Sequence, residues 1–156
     1  MVTQTSEHAI RALLFLAQRP EGETVPAERI AQALGAPANY LAKTLNALAK
    51  QGLVGSTRGP AGGFRLRVPA GQVTLAEVVE VFDDVRPRRM CLLGGRPCDG
   101  LHPCRAHEAW SRVCAAMRAP LGATTLADLL VPAPGYGIEF NAAAQAGGDV
   151  RAALAA

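Results

Sequence analysis

Residues 26–50 read PAERIAQALGAPANYLAKTLNALAK, two segments with a helical spacing of apolar residues, separated by a glycine and a proline. Pro26 is acceptable in the first turn of a helix and Gly35 is typical of a helix end, so the first segment predicts a short helix. In the second segment three leucines recur at i, i+4 and i+7: Leu41, Leu45 and Leu48. This spacing places them on one face of a helix that we expect to run to Gly52. Two short helices joined by a glycine-containing turn predict a helix-turn-helix unit.

The opposite face of the second helix carries amide and ammonium groups at the same spacing: Asn39, Lys43, Asn46 and Lys50. In a helix-turn-helix unit the second helix enters the major groove of DNA, where amides read base edges and ammonium groups hold phosphates. We therefore predict DNA contacts from these four residues and from Tyr40. The charge distribution agrees, because residues 1–68 hold eight lysines and arginines against four glutamates.

After this unit the period of the apolar residues changes to two. Residues 64–68, FRLRV, alternate between apolar and basic side chains, which indicates a strand with one buried face and one basic face. Residues 53–57 predict its partner strand, and the glycine-rich residues 58–63 predict the loop that connects them. The three segments together predict a two-stranded β-wing with a flexible tip.

The wing supplies a second set of predicted DNA contacts: Arg58, Gly59, Gly62, Gly63 and Arg65. An arginine at the tip can enter a minor groove, whose narrowed form attracts it. The glycines beside it permit a close approach of the backbone. Each basic residue taken alone could simply solvate a surface. Together they follow the geometry of a recognition helix and a wing, which favours DNA binding.

The remaining apolar patterns predict more helices. A first helix is expected over residues 6–18, and Thr74 begins a fourth through a capping box with Glu77. A last short helix, ending near Leu130, is expected to begin at Thr125 with Asp128 in the same capping pattern. A longer helix is expected from Cys104, and its apolar stripe, which needs a partner, makes self-association the simplest proposal. That stripe consists of Ala106, Trp110, Val113, Met117 and Leu121. Cys114, next to Val113, is interpreted as a small core or dimer-interface residue.

The sequence therefore predicts a mainly α fold: a winged helix-turn-helix with a two-stranded β-wing and a long C-terminal dimerisation helix. We divide it into a DNA-binding domain (1–70), a unit with a sensor loop and dimerisation helices (71–131) and a flexible tail (132–156). The tail assignment follows from its Ala, Gly and Pro bias. No nucleophile–base arrangement, phosphate-binding loop or dinucleotide fingerprint is recognisable, so we expect no enzyme.

Residues 90–107, MCLLGGRPCDGLHPCRAH, hold three of the four cysteines, Cys91, Cys98 and Cys104, with gaps of six and five residues. The amino terminus lacks the basic start and apolar run of a signal peptide, and no stretch approaches a membrane span, so we expect a cytoplasmic protein. In a reducing compartment clustered cysteines favour metal binding or redox chemistry over permanent disulfides. Thiolates are soft ligands that favour iron-sulfur clusters, zinc or copper(I).

Three other interpretations of the cysteines stay open. A zinc site is disfavoured, because its usual ligand pairs lie two to four residues apart. In a cluster-free thiol switch, two of the cysteines oxidise to a disulfide. A small electron-transfer protein would explain a cluster but would leave the wing without a purpose.

The order of these features resembles the Rrf-type (IscR- and NsrR-like) family of winged helix-turn-helix iron-sulfur transcription regulators. The resemblance spans about residues 1–131 and rests on four pieces: residues 9–11, residues 40–41, residues 58–63 and the three cysteines. It implies a homodimer bound to a palindromic site in double-stranded DNA, most often as a repressor. The implied signal is redox state, nitric oxide or iron-sulfur status.

The resemblance also implies a fourth cluster ligand, for which the chain offers two candidates. His107 corresponds to the histidine ligand of IscR-like members, and Glu7 to the carboxylate that NsrR-like members supply from the other subunit. A histidine ligand favours a two-iron cluster (2Fe-2S), with 4Fe-4S as the alternative. The family usually has five residues in both cysteine gaps, whereas the gap from Cys91 to Cys98 has six, which leaves the cluster type open.

Overall fold

A computed structural model describes residues 2–59, 62–83, 92, 101–131 and 140. The described ranges contain six α-helices: α1 (Gln4–Ala17), α2 (Ala27–Leu34), α3 (Ala38–Lys50), α4 (Leu75–Val79), α5 (His107–Ala123) and α6 (Leu126–Leu130). They also contain the strands β1 (Val54–Thr57) and β2 (Gly63–Leu66) and a 3-10 turn at Ala70–Gln72. The predicted mainly helical fold with a two-stranded wing is confirmed. Within those ranges no helix is long and apolar enough to cross a membrane.

The first helix, α1, lies at the centre of the fold and contacts α2, α3, α4, α6 and β2. Its run of apolar residues is buried on more than one side, with Leu13 and Phe15 fully inaccessible. Burying one such side chain stabilises a fold by about 1.5–3 kcal/mol. The helix begins at Thr3, whose hydroxyl accepts a hydrogen bond from the Ser6 backbone at 3.4 Å.

The predicted helix-turn-helix unit is present as α2 and α3. Gly35 ends α2 in the left-handed conformation, with φ of 67°, which a residue with a side chain adopts at a cost. The three leucines of α3, at positions 41, 45 and 48, are fully buried. The turn and the apolar stripe therefore fix how α3 lies against α1 and α2.

The wing pairs antiparallel, with Val54 opposite Leu66 and Thr57 opposite Gly63. A contact that the sequence did not predict joins it to the helices. Val25, between α1 and α2, exchanges two backbone hydrogen bonds of 2.8 Å with Phe64. This bridge attaches the wing to the helical core.

The starts of α4 and α6 lie side by side. Both predicted capping threonines, Thr74 and Thr125, are confirmed as N-caps with reciprocal capping boxes. The two starts are joined by backbone hydrogen bonds of 2.9 Å, from Leu75 to Thr124 and from Leu126 to Val73. Val73 and Leu126 belong to the same apolar core as α1, so this core continues past the domain boundary predicted at residue 70.

The long helix α5 begins at His107 rather than at Cys104 and continues through Pro120 to Ala123. Cys114 is fully buried, whereas its neighbour Val113 keeps 52% of its surface exposed. Cys114 is therefore a core residue already within one chain. Adjacent helical residues point about 100° apart, so Val113 belongs to the face that α5 turns away from that core.

The predicted flexible tail falls outside the described residues, with one exception. Phe140 is only 6% exposed, and its ring packs edge-on against Phe15 with centroids 5.5 Å apart. The guanidinium group of Arg19 also lies over the Phe15 ring, 4.2 Å from its centroid. One residue of the tail therefore packs into the core beside the end of α1.

We predict that Phe140→Ala lowers the free energy of unfolding by about 3–5 kcal/mol, because it removes a buried ring and leaves Phe15 partly uncovered. Urea denaturation of the full chain measures this change. As a control, Val131→Ala alters a side chain that is 65% exposed and should change stability by less than about 0.5 kcal/mol. Equal stability of Phe140→Ala and the wild type would show that Phe140 does not hold the tail on the core.

Candidate nucleic-acid interface and metal centre

The exposed face of α3 carries the predicted base-reading residues. Asn39, Lys43, Asn46 and Lys50 are all exposed, on the side opposite the buried leucines. Thr44 is buried, and its hydroxyl donates to the Tyr40 carbonyl at 3.2 Å. The structure therefore brings four of the predicted residues together on one surface of one helix.

The fifth predicted residue of this helix, Tyr40, is half-buried. Its hydroxyl donates a hydrogen bond of 2.8 Å to Oγ1 of Thr5, in the first turn of α1. Its ring also packs edge-on against that of His8, with centroids 5.6 Å apart. Tyr40 thus holds the start of α3 against the start of α1. A DNA contact from Tyr40 stays a prediction.

The wing residues separate into exposed arginines and closely packed glycines. Arg58 and Arg65 are exposed, and Gly59 has a φ of 112° that favours glycine. A Cβ on Gly62 would lie 2.3 Å from the Thr57 carbonyl oxygen, and one on Gly63 would lie 2.5 Å from the Val25 carbonyl. The close backbone approach at these two glycines is thus to the protein's own chain. Pro60 and Ala61, at the tip, lie outside the described residues.

Two of the three predicted cysteine ligands, Cys91 and Cys98, also lie outside the described residues. Cys104 is exposed and precedes α5, and its carbonyl accepts a hydrogen bond of 3.0 Å from the backbone N–H of His107. This turn places a thiol and an imidazole at the same end of α5. Thiolate and imidazole are the donors that iron-sulfur clusters and zinc take, so this pair fits the predicted group.

The other candidate ligand, Glu7, lies on α1, and its side chain is 62% exposed. One carboxylate oxygen is 3.9 Å from a guanidinium nitrogen of Arg11. Over the residues that the structure describes, no three His, Cys, Asp or Glu side chains come together as a metal site. Glu7 and Cys104 therefore do not share such a site within the described part of one chain.

The sequence contained no indication of one carboxylate that binds the start of α1. Asp83 Oδ2 accepts three hydrogen bonds: from the Thr3 backbone N–H at 2.8 Å, the Thr3 hydroxyl at 3.1 Å and the Ser6 hydroxyl at 2.6 Å. Partial burial alone would raise the pKa of Asp83, but the bonds from Ser6 and Thr3 outweigh it and hold this pKa below its ordinary value. No local signal could have identified the contact, because Ser6 and Asp83 are 77 positions apart.

The described residues thus provide a polar helix face, a basic wing, and a thiol and an imidazole at one end of α5. A family model described as an iron-dependent transcriptional regulator, Rrf2, matches residues 2–132. The chain is 32% identical over 129 residues to the HTH-type transcriptional regulator IscR of Cronobacter sakazakii, covering 83% of this chain and 79% of that protein. With IscR of Citrobacter koseri it shares 31% identity over 129 residues, which cover 83% and 78% of the two chains.

The fold is similar to that of two solved structures. CymR, the global cysteine regulator of B. subtilis, superposes with a TM-score of 0.67 at 23% identity, covering 83% of this chain and 95% of that one. IscR of T. potens superposes with a TM-score of 0.65 at 24% identity, covering 83% and 85%. At these identities the similarity concerns the fold, and it extends over most of the described residues.

We predict that Gly63→Ala detaches the wing from the core, because its Cβ would collide with the Val25 backbone at 2.5 Å. The expected loss is about 1–3 kcal/mol of stability, together with faster hydrogen exchange at the Phe64 amide. Gly122→Ala is the matched control, since no atom lies within 4 Å of its Cβ position. It should leave stability unchanged or raise it by up to about 1 kcal/mol. Unchanged exchange at Phe64 in Gly63→Ala would contradict the role given to the Val25 bridge.

Proposed function

Because the chain belongs to the Rrf2 family of transcriptional regulators, we propose that it is a repressor whose affinity for DNA depends on an iron-sulfur cluster. The proposed cluster ligands are Cys91, Cys98 and Cys104, with either His107 or Glu7 as the fourth. Members of this family regulate transcription by binding DNA and are not enzymes.

The DNA-binding surface is proposed to be the exposed face of α3 together with the wing. The proposed surface is supported above all by the separation of polar from apolar residues on α3. Asn39, Lys43, Asn46 and Lys50 are exposed, while the leucines behind them are fully buried. Asn39 and Asn46 can read base edges, whereas the two lysines can neutralise phosphates. Arg58 and Arg65 extend the basic surface along the wing, where the backbone bridge to Val25 limits its movement.

A homodimer is supported by the outward face of α5. Val113 is an apolar side chain with 52% of its surface exposed. Trp110 and Met117 lie half-buried at helical spacing from Val113. A second copy packed on this face would cover these side chains and relate two α3 helices by a two-fold axis. A dimer of that symmetry binds a palindromic site.

The cluster is proposed to bind in the segment between α4 and α5, residues 84–106, which we name the sensor segment. Its last cysteine, Cys104, is exposed and lies one helical turn from His107. When bound, the cluster supplies a group that responds to oxidants or nitric oxide. The protein's part is to hold three thiolates and one exchangeable ligand. A histidine favours a two-iron cluster, and a carboxylate from the partner subunit would join α1 of one subunit to the sensor segment of the other.

The effect on DNA follows from where the sensor segment lies in the chain. It joins α4, which packs on α1, to the proposed dimer helix α5. Cluster-loaded and cluster-free segments need to stabilise different arrangements of these helices for DNA affinity to change. A coupling of about 1–3 kcal/mol would change that affinity roughly 5- to 150-fold.

The second candidate is a cluster-free thiol switch, which the exposure of Cys104 favours. A thiol must be accessible and deprotonated to react, and Cys104 meets the first condition. Cys114 does not, because it is fully buried. A switch would therefore form between Cys104 and one of the two cysteines in the sensor segment.

We predict that the protein, purified without oxygen, contains iron and sulfide and absorbs visible light. His107→Ala and Glu7→Ala, made separately, should identify the fourth ligand, because only loss of the true ligand changes the spectrum. Glu28→Ala, which removes an exposed carboxylate on α2, is the control for Glu7→Ala. A colourless protein carrying stoichiometric zinc, or no metal after reconstitution with iron and sulfide, would refute the cluster. A spectrum unchanged in both variants would exclude both candidate ligands.

We predict that Arg58→Ala weakens DNA binding and reduces the slope of log affinity against log salt by about 1, the value for one lost phosphate contact. Fluorescence anisotropy of a duplex selected from a random library by the wild-type protein measures both quantities. Arg112→Ala is the control, because it removes the same charge from α5, where Arg112 lies 3.5 Å from Glu108. Equal effects of the two substitutions would mean that net charge, and not the wing, determines binding.

A further inference from the structure

The first turn of α1 is in contact with two separate parts of the fold on opposite sides. On one side Thr3 and Ser6 bind the carboxylate of Asp83. On the other side Oγ1 of Thr5 accepts a hydrogen bond from the Tyr40 hydroxyl, and the ring of His8 packs against the Tyr40 ring. Residues three apart share a helix face, so positions 3 and 6 form one contact surface and positions 5 and 8 another. One turn of helix therefore joins two side chains that are distant in sequence.

Asp83 and Tyr40 lie next to the two proposed functional regions, the sensor segment and the recognition helix α3. Asp83 directly precedes the sensor segment and lies eight positions before Cys91. Tyr40 lies in the first turn of α3, beside Asn39 and one turn before Lys43 and Thr44. Asp83 thus fixes where the sensor segment leaves the core, and Tyr40 fixes where the base-reading helix begins.

The hydrogen bonds between Asp83 and the first turn of α1 allow the Asp83 carboxylate little movement. Ser6 is fully buried, so its hydroxyl has no water to replace the carboxylate if Asp83 withdraws. One oxygen of Asp83 receives all three hydrogen bonds, the shortest of them 2.6 Å. Thr3 is also the N-cap of α1, so the same contact holds the residue that begins the helix. A displacement of Asp83 must therefore move or loosen the first turn.

We propose that the first turn of α1, residues 3–8, couples the sensor segment to the recognition helix, with Asp83 and Tyr40 as positioning residues. This inference rests on the proposed function and adds to it a route within one chain. The cluster-loaded segment holds Asp83 in one position, and the first turn transmits that position through Thr5 to Tyr40 and so to the exposed face of α3. Glu7 lies on the same turn, so a ligand contact from Glu7 to the partner subunit would act on the same element.

The test compares the DNA affinity of cluster-loaded and cluster-free protein, and the quantity measured is the ratio of the two. The variants are Asp83→Ala, which removes the carboxylate, and Thr5→Val, which removes the acceptor of the Tyr40 hydroxyl while keeping the side-chain shape. Asp128→Ala is the matched control: that carboxylate accepts two hydrogen bonds of 2.7 Å from Thr125 at the start of α6. The probe is one duplex selected from a random library by the wild-type protein. Iron and sulfide content and thermal unfolding are recorded for every variant.

The coupling predicts that Asp83→Ala and Thr5→Val each bring the ratio closer to 1 by roughly 2- to 30-fold, while Asp128→Ala keeps the wild-type ratio. The double variant should differ little from either single one, because both interrupt one route. A purely structural role would weaken binding equally in both states and leave the ratio unchanged. If Asp83→Ala fails to fold or to load a cluster, Thr5→Val still provides the test.

Two results would overturn the proposal, and they are distinguishable. A wild-type ratio well above 1 that persists in Thr5→Val and Asp83→Ala would refute the coupling and leave the proposed function intact. A wild-type ratio of 1 would refute the proposed function, and the coupling with it.

Discussion

The burial of α1 is the constraint on which the rest of the structure depends. Its apolar residues are covered by α2 and α3, which follow it directly in the chain, and by α4 and α6, which come later. Strand β2 contacts it as well. A helix enclosed in this way cannot shift without disturbing several interfaces, because protein interiors are close-packed. The recognition helix, the wing and the helix before the sensor segment are therefore all positioned by the same element.

This arrangement brings α3 and Asp83, the residue that precedes the proposed sensor segment, into contact with one turn of α1. The polar contacts at the first turn of α1 add direction to the apolar packing, since hydrogen bonds from Thr3 and Ser6 fix Asp83 and the one to Thr5 fixes Tyr40. Hydrogen bonds to buried groups such as Ser6 are costly to break, because the group left behind has no replacement partner. In the proposed coupling, a signal from the sensor segment would pass through these few residues.

Much of the local structure could be predicted from the sequence, because its signals span only a few residues. Capping boxes at Thr74 and Thr125, the glycine that ends α2 and the alternation in β2 each identified an element that the structure contains. The contacts that join these elements could not be predicted in this way. Val25 with Phe64, Ser6 with Asp83 and Phe15 with Phe140 are pairs distant in sequence, and no local pattern indicates which residue pairs with which. For the candidate site, the exposed face of α3 followed from helical spacing, whereas the bond from Tyr40 to Thr5 depends on how α3 crosses α1.

In the proposed function, the state of the sensor segment sets the affinity for DNA. The most direct test titrates one selected DNA duplex with the wild-type protein before and after removal of its iron by a chelator, without oxygen and at a single salt concentration. The proposed function predicts that the two dissociation constants differ by about 5- to 150-fold, the range expected for coupling between two sites. Equal dissociation constants, measured on protein with verified iron and sulfide content, would contradict it.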